Sequence, residues 1–376
     1  MKILIPTVDY PPIEGGIASV SLHVARELAA LDHEVTVVAP WFPDMDAFDA
    51  AEPVRVIRFH GYDRGWLRIL PFARCVLPLL RDTDLLLAPN IAYGGLLGRV
   101  ARLRHGKPYV CFAYAYEFLK FQRSRIARTV FRGVYRRALF TVAISKFSRG
   151  KLEEFAGRDV AVETILPGAP APVPVSEADI AAVRARFSLE GADVVLGVGR
   201  FVPRKGQALL IKAFAILLEQ YPTAHLVLAG RGPELEACRA KARALGIDGH
   251  VHCPGYVDDA ALAALYETCT IFALATGEDA GGQVEGFGLV FAEAQARGKP
   301  VVAGRSGGTV DAVHHEKTGL LVRPDDAGAV ATALLRLLTD PALAARLGAA
   351  GRARVEEELN WTTFTRSLMD AVEARL

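Results

Sequence analysis

Cysteine is scarce in this 376-residue chain, and the five present do not pair: Cys75, Cys111, Cys238, Cys253 and Cys269 are odd in number, dispersed, and form no C-x-x-C step. That excludes a disulfide framework and a thiolate zinc site, and leaves buried thiols of a reducing compartment. Long apolar runs are missing too. The best candidate, LLLAPNIAYGGLLG, is interrupted by Pro89, Asn90 and glycines, well short of the ~18 apolar residues of a spanning helix. The opening MKILIPTVDYPP carries about one strand of apolar residues before Pro6, too few for the core of an export signal, so a cytoplasmic chain is expected. Acidic residues are absent from one whole stretch: between Phe118 and Leu152 there are ten Lys and Arg and no Asp or Glu.

What is present describes a folded protein. Hydrophobic residues make up 51% and charged ones 23%, which excludes extended disorder, and the length suits two domains. The net charge of +2 conceals an asymmetry: residues 1–170 carry +6 and the remainder −4. The segment Arg55–Lys151 holds 20 basic residues against Asp63, Asp82, Asp84 and Glu117. It brings neither interleaved stacking aromatics nor a recognised module, so nucleic acid is not the expected partner.

The first residues read strand, glycine loop, helix, strand: KILIPTV, DYPPIEGG, IASVSLHVARELAAL, HEVTVVAP. This is a βαβ unit of a parallel sheet. Further strands are expected at VRVIRF, DLLLAP, PYVCFAY and FTVAIS. The Pro/Ala-rich LPGAPAPVPVSEAD, residues 166–179, reads as an extended linker. Beyond it the alternation restarts with strands at DVVLGVG, HLVLAG, VHCPG, TIFALA and PVVAG, and a final amphipathic helix runs from about Glu356 and contains Trp361. The fold class is α/β: two Rossmann-like, doubly wound domains facing a cleft, residues 1–170 and 171–355, with residues 356–376 packing back on the first. Ligands of such sheets bind at the carboxyl ends of the strands.

Four segments carry candidate chemistry. GRFVPRKG, from Gly199 to Gly206, follows a strand and places Arg200 and Lys205 where an anion would sit; the bland alternative is a tight turn with solvated cations, and no Walker pattern is present. In EGFGLVFAE, Glu285 precedes a helix and Glu293 lies about two turns within it. Carboxylates accept the hydroxyls of a ribose diol or a sugar ring, and the free amides of a helix start attract an anion. The flanking residues are strongly apolar, which argues against a merely solvated face. The glycine pair Gly15 and Gly16 and the loop SGGTVDAV complete the set, each weak alone.

Together with DHEVTVV, AISKFS, AGRGPELE, VHCPGYV and QVEGFGLVFAEAQARGKPVVAGRSGG, these segments resemble glycosyltransferase family 4 over nearly the full length. That family comprises retaining enzymes of the GT-B fold, and phosphatidylinositol mannosyltransferase-like and lipopolysaccharide or capsule enzymes look similar around EGFGLVFAEA. The resemblance implies transfer of a hexose from a UDP- or GDP-sugar to a lipid-linked or glycan acceptor. It implies that Arg200 and Lys205 bind the donor diphosphate, Glu293 the ribose, and Glu285 with the amides of Phe287, Gly288 and Leu289 the sugar and its phosphate. Gly199 and Arg231 would line the donor site, Tyr256 would lie near the base, and Gly15 and Gly16 would approach from the first domain. No cofactor or metal is expected, since the donor is a substrate and no D-x-D stands in a suitable loop. One departure concerns the place where the family often carries a histidine: here AYAYE puts Tyr114 there, a poor base at neutral pH. A sugar-nucleotide epimerase and a non-catalytic glycan- or nucleic-acid-binding protein are the alternative readings.

The basic stretch carries an expectation of its own. A helix with Arg125, Arg128, Arg132 and Arg136 on one face, opposite Ile126, Val130, Phe131, Val134 and Ala138, suits an anionic membrane surface, as does the neighbouring RGWLRILPFARCVLPLLR. The protein is then expected to be peripheral at the inner face of the cytoplasmic membrane. The plain alternative is a helix packed on its sheet with solvated arginines.

Overall fold

The computed structural model describes residues 1–114, 117, 121–122 and 124–376. It divides into two compact units, Met1–Pro167 with Trp361–Leu376, and Gly168–Asn360.

The first unit is built on seven strands: β1 Lys2–Pro6, β2 Glu34–Pro40, β3 Arg55–Phe59, β4 Leu85–Ala88, β5 Tyr109–Ala113, β6 Phe140–Ala143 and β7 Val162–Thr164. All pair in parallel, in the order β3-β2-β1-β4-β5-β6-β7. The order reverses direction at β1 and β4, which makes the sheet doubly wound. Strands such as Leu85–Ala88 are buried at every position, the pattern of a parallel sheet covered on both faces. The short edge strand β7 was not anticipated from the sequence.

Right-handed crossovers put the helices after β1 and those after β4 on opposite faces. On the first, Gly16–Ala30 packs against the C-terminal helix Trp361–Glu373, whose inward positions Trp361, Phe364, Thr365, Leu368, Met369 and Val372 recur at helical spacing. His23 stacks on Trp361 at 5.0 Å and 10°, and Thr362 donates to Glu27 at 2.8 Å. Glu356 and Glu357 do not belong to this helix; they close the preceding one, Pro341–Glu357. On the other face lie Ile69–Val76, Leu96–His105, Arg125–Arg137 and Lys146–Ala156, whose Phe72, Leu97, Phe131 and Leu152 share one core with the strands. Each such side chain contributes roughly 1.5–3 kcal/mol on burial.

The helix Arg125–Arg137 corrects the expectation drawn on its wheel. Phe131, Val134 and Tyr135 are buried and Ala127 and Ala138 partly so, whereas Ile126 is 79% exposed and Val130 39%. The packed stripe is therefore rotated, and two β-branched residues join the arginines outside. Arg125 and Arg128 are exposed, Arg132 is half-buried, and Arg136 is ion-paired with Asp159. Phe118, Lys120 and Arg123 of the basic stretch lie outside the described residues.

The second unit holds six parallel strands: β8 Val194–Val198, β9 His225–Ala229, β10 Val251–Gly255, β11 Ile271–Leu274, β12 Val301–Gly304 and β13 Leu320–Val322. Their order is β10-β9-β8-β11-β12-β13, with the reversal at β8 and β11. Its core is mostly aliphatic, with Leu210, Leu334 and Leu347 buried against the sheet beside Phe214. The linker is extended until Ser176 caps the helix Glu177–Arg186. Near its start the Ala169 amide donates to the Leu359 carbonyl at 2.8 Å.

Candidate active site

The loops that follow β8, β9, β10, β11 and β12 gather at the carboxyl end of the second sheet, around its switch point. After β8 the chain passes Gly199 and the exposed Arg200, makes a short turn at Pro203–Lys205, and enters the helix Gln207–Leu218. Gly206 stands at the junction with φ 72°, and a Cβ there would lie 2.0 Å from the Ala275 carbonyl oxygen, so no other residue fits. That close approach seats the turn on the loop after β11, where the Gly277 amide donates to the Arg204 carbonyl at 2.9 Å.

The turn presents two cations to one carboxylate. Lys205 Nζ lies 2.7 Å and Arg204 Nη1 2.9 Å from Oε2 of Glu285. Burial pushes the Glu285 carboxyl up, but Lys205 and then Arg204 outweigh it and hold the group below its ordinary range. The cluster keeps one unneutralised positive charge, and the Lys205 side chain runs alongside Gly199. The far side of Glu285 is fixed by the SGGT loop after β12, whose Gly308 amide donates to the Glu285 carbonyl at 2.8 Å.

Glu285 precedes the helix Leu289–Ala296, which starts at Gly288 with φ 94° and no side-chain cap. The Phe291 amide donates to the Gly288 carbonyl at 3.0 Å, and the amides of Leu289 and Val290 are left without an acceptor within the helix. Phe287 is buried and anchors the loop. Glu293 lies about one turn in rather than the two expected, because the helix begins only at Leu289, and the Tyr266 hydroxyl is 2.8 Å from its Oε2. Burial raises the Glu293 carboxyl, opposed by the bond from Tyr266 and by the charges of Lys205 and Arg297. At the outer strands, the exposed Arg231 stacks over the Tyr256 ring at 4.1 Å, and the Arg231 carbonyl accepts from the Phe201 amide at 2.8 Å.

Within this unit, then, Gly199, Lys205, Glu285, Phe287, Gly288, Leu289 and Glu293 meet at one end of one sheet, with Arg200 on its rim and the Arg231–Tyr256 pair beside it. Two participants escaped the sequence reading. Arg204, adjacent to Lys205, passed for a solvated turn residue, and Tyr266 lies among the apolar positions of the helix Asp259–Thr268.

Gly15, Gly16 and Tyr114 belong to the first unit. Gly15, with φ 136°, caps the helix Gly16–Ala30, and both glycines are exposed after β1. Tyr114 follows β5; its amide donates to Glu117 at 2.6 Å, and its hydroxyl is buried without a hydrogen-bond partner. Burial, then the charges of Glu117 and Asp9, pushes the phenol well above its ordinary range, which leaves it no base at neutral pH.

The family model described as Glycosyltransferase Family 4 matches residues 14–171, and the one described as Glycosyl transferases group 1 matches residues 180–354. A GDP-mannose-dependent alpha-(1-6)-phosphatidylinositol monomannoside mannosyltransferase of Mycobacterium tuberculosis is 32% identical over 380 residues, 98% of this chain and 97% of that protein. The chain belongs to glycosyltransferase family 4. This family 4 enzyme shares its fold with the Anabaena protein HepE solved with UDP and glucose, at a TM-score of 0.83, 22% identity and full coverage of both chains. A sucrose-phosphate synthase from Thermosynechococcus elongatus matches at 0.82 with 24% identity, over 99% of this chain and 98% of that one. The architecture is GT-B, and the protein is a nucleotide-sugar-dependent glycosyltransferase. Family membership replaces the epimerase and binding-protein alternatives.

Proposed function

We propose that this enzyme transfers a mannose-type hexose from GDP-mannose to a phosphatidylinositol-linked acceptor with retention at the anomeric carbon. The observation that carries the donor assignment is Glu285 held between Lys205 and Arg204 at the carboxyl end of the second sheet. The diphosphate is met by Arg200, Lys205 and the first-turn amides of Leu289–Ala296, which stabilise the negative charge that grows as the anomeric carbon gains oxocarbenium character. These groups supply that charge without a metal ion. Glu293 accepts the ribose diol, and the Arg231–Tyr256 pair flanks the base.

Glu285 orients the hexose through its second oxygen. With Oε2 engaged by two cations it is a poor nucleophile, so retention is assigned to attack from the face the diphosphate leaves, rather than to a glycosyl-enzyme. GDP-mannose and the phosphatidylinositol acceptor rest on the relative at 32% identity; UDP-glucose is the second donor, favoured by the likeness to the Anabaena protein.

The acceptor side is assigned to an anionic membrane surface. Trp66 is 78% exposed, Leu70 63%, Leu103 68% and Ile126 79%. Leu70, Leu103 and Ile126 stand on the helices of one face of the first sheet and Trp66 on the turn that leads into the first of them, together with Arg74, Arg99, Arg102, Arg104, Arg125 and Arg128. Among the described residues no single helix is long and apolar enough to cross a membrane. An apolar fringe within a basic field suits shallow, salt-sensitive binding at about 1 kcal/mol per basic residue.

The deciding experiment incubates the enzyme with GDP-mannose or UDP-glucose and a phosphatidylinositol mannoside in vesicles, and reads the anomeric coupling of the product by NMR. An α-linked product from GDP-mannose is expected. Inversion, or turnover confined to a soluble acceptor, overturns the proposal.

A further inference from the structure

One oxygen of Glu293 is already occupied. The Tyr266 hydroxyl lies 2.8 Å from Oε2, and since a carboxylate has no proton to give, the phenol donates. The ring that carries it has two packing partners. Phe272 stacks on it at 5.7 Å and 20°, and the Arg297 guanidinium lies 5.3 Å from its centroid. Arg297 is itself ion-paired at 3.1 Å to Glu267, the next residue after Tyr266. Phe272 in turn meets Phe291 edge-on at 5.7 Å, two residues before Glu293 on the same helix. Donor and acceptor thus stand on one packed block, and Tyr266 is only 3% exposed.

We propose that Tyr266 is a positioning residue for nucleotide recognition: by taking Oε2 it fixes the plane of the Glu293 carboxylate and leaves Oε1 as the acceptor for the ribose diol. This rests on the assignment of Glu293 to the ribose made above. A carboxylate in this setting has two ways to lose that role. It protonates, because burial disfavours its charge, or it turns to Lys205 or Arg297, whose charges both act on it. The phenol opposes the first by bonding the ionised form and the second by restricting the rotamer. Neither the base nor the diphosphate contacts depend on it.

The test is calorimetric titration of GDP and 2′,3′-dideoxy-GDP into the wild type, Tyr266→Phe and Glu293→Ala over a pH series, with the UDP pair run in parallel. The wild type is expected to prefer the ribonucleotide by about tenfold or more, the scale of one charge-assisted hydrogen bond. Tyr266→Phe loses most of that preference, keeps its dideoxynucleotide affinity, and loses GDP binding at a higher pH than the wild type does. Replacing Tyr266 by 3-fluorotyrosine, a stronger donor of nearly the same shape, keeps the preference and moves the acid limb the other way, which provides a reading even where the phenylalanine variant does not fold. A phenylalanine variant with the wild-type preference and pH profile, or one that weakens both nucleotides equally, overturns the proposal. Should Glu293→Ala also retain the preference, the ribose assignment fails and Tyr266 falls with it; a preference lost in Glu293→Ala but kept in Tyr266→Phe removes Tyr266 alone.

Discussion

Lys205 and Glu285 come from the loops after β8 and β11 and meet at 2.7 Å, at the switch point of the second unit's sheet. Neither group is free to leave: Lys205 is 8% exposed, and Glu285 is shared with Arg204 at 2.9 Å. Removing one partner of such a group leaves a buried charge poorly compensated, at a cost of about 3–5 kcal/mol when no other partner remains. Arg204→Ala leaves Lys205 in place and is expected to destabilise less than that. The sign of its pH effect follows from the balance on Glu285. With one cation gone, burial gains weight, the carboxyl titrates at a higher pH, and the acid limb of kcat/KM moves up. A limb that stays in place in a folded variant means that Glu285 is not required ionised.

Lys205→Ala is expected to act on turnover more than on donor affinity, because its charge matters most as the diphosphate departs. A loss of about 10²-fold in kcat, with less than about tenfold in donor affinity, is the anticipated split. Equal losses in both, from stopped-flow binding and steady-state rates, would point to plain ground-state binding.

Glu293→Ala should weaken GDP and the intact donor alike, by about 1–3 kcal/mol. Unchanged calorimetric affinity for the free nucleotide takes Glu293 out of the site.

His23 predicts acid sensitivity in the first unit. Burial, then the Arg26 charge, depresses this imidazole to about 4 while it stacks on Trp361. A histidine held below its unfolded value contributes stability above about pH 6.5, and that contribution is lost as pH falls towards 4, on the order of 2–3 kcal/mol. Thermal unfolding of the wild type should therefore drop across this window, and His23→Phe should flatten the drop. Parallel pH curves for the two proteins would place the sensitivity elsewhere.

Co-sedimentation with liposomes addresses the outer helices. Binding should require anionic lipid, weaken at high salt, and fall when Arg125 and Arg128 become serine or when Trp66 and Ile126 become alanine. Arg136→Ser is expected to matter less, since that guanidinium is paired with Asp159. Equal recovery with neutral vesicles would end the assignment.

Most strands legible in the sequence have four or more consecutive buried positions, such as Leu85–Ala88 and Val194–Gly197, while Arg55–Phe59 and Val251–Gly255 were legible from their β-branched or flanking turn residues. Val162–Thr164 and Leu320–Val322 were not, because three residues at a sheet edge carry too little pattern to register. Charges in strand-end loops announced Lys205, Glu285 and the loop around them. Arg204 and Tyr266 gave no such signal, since a cation beside a cation reads as solvated and a tyrosine after Leu265 reads as packing. The rotated face of Arg125–Arg137 has the same origin: a wheel orders residues around an axis but does not say which arc meets the sheet, and here packing chose Phe131, Val134 and Tyr135.

The last sixteen residues, Trp361–Leu376, complete the unit that the first 167 begin, so the second unit is an insert within the first. Its ends are held side by side by the Ala169 amide on the Leu359 carbonyl. A fragment ending at Pro167 would lack Trp361 and leave the Gly16–Ala30 helix uncovered, whereas residues 168–360 form a closed segment. Tethering residue 167 to residue 361 through a short glycine linker would restore the first unit without its insert, which makes the two halves separable for binding work in a way that simple truncation is not.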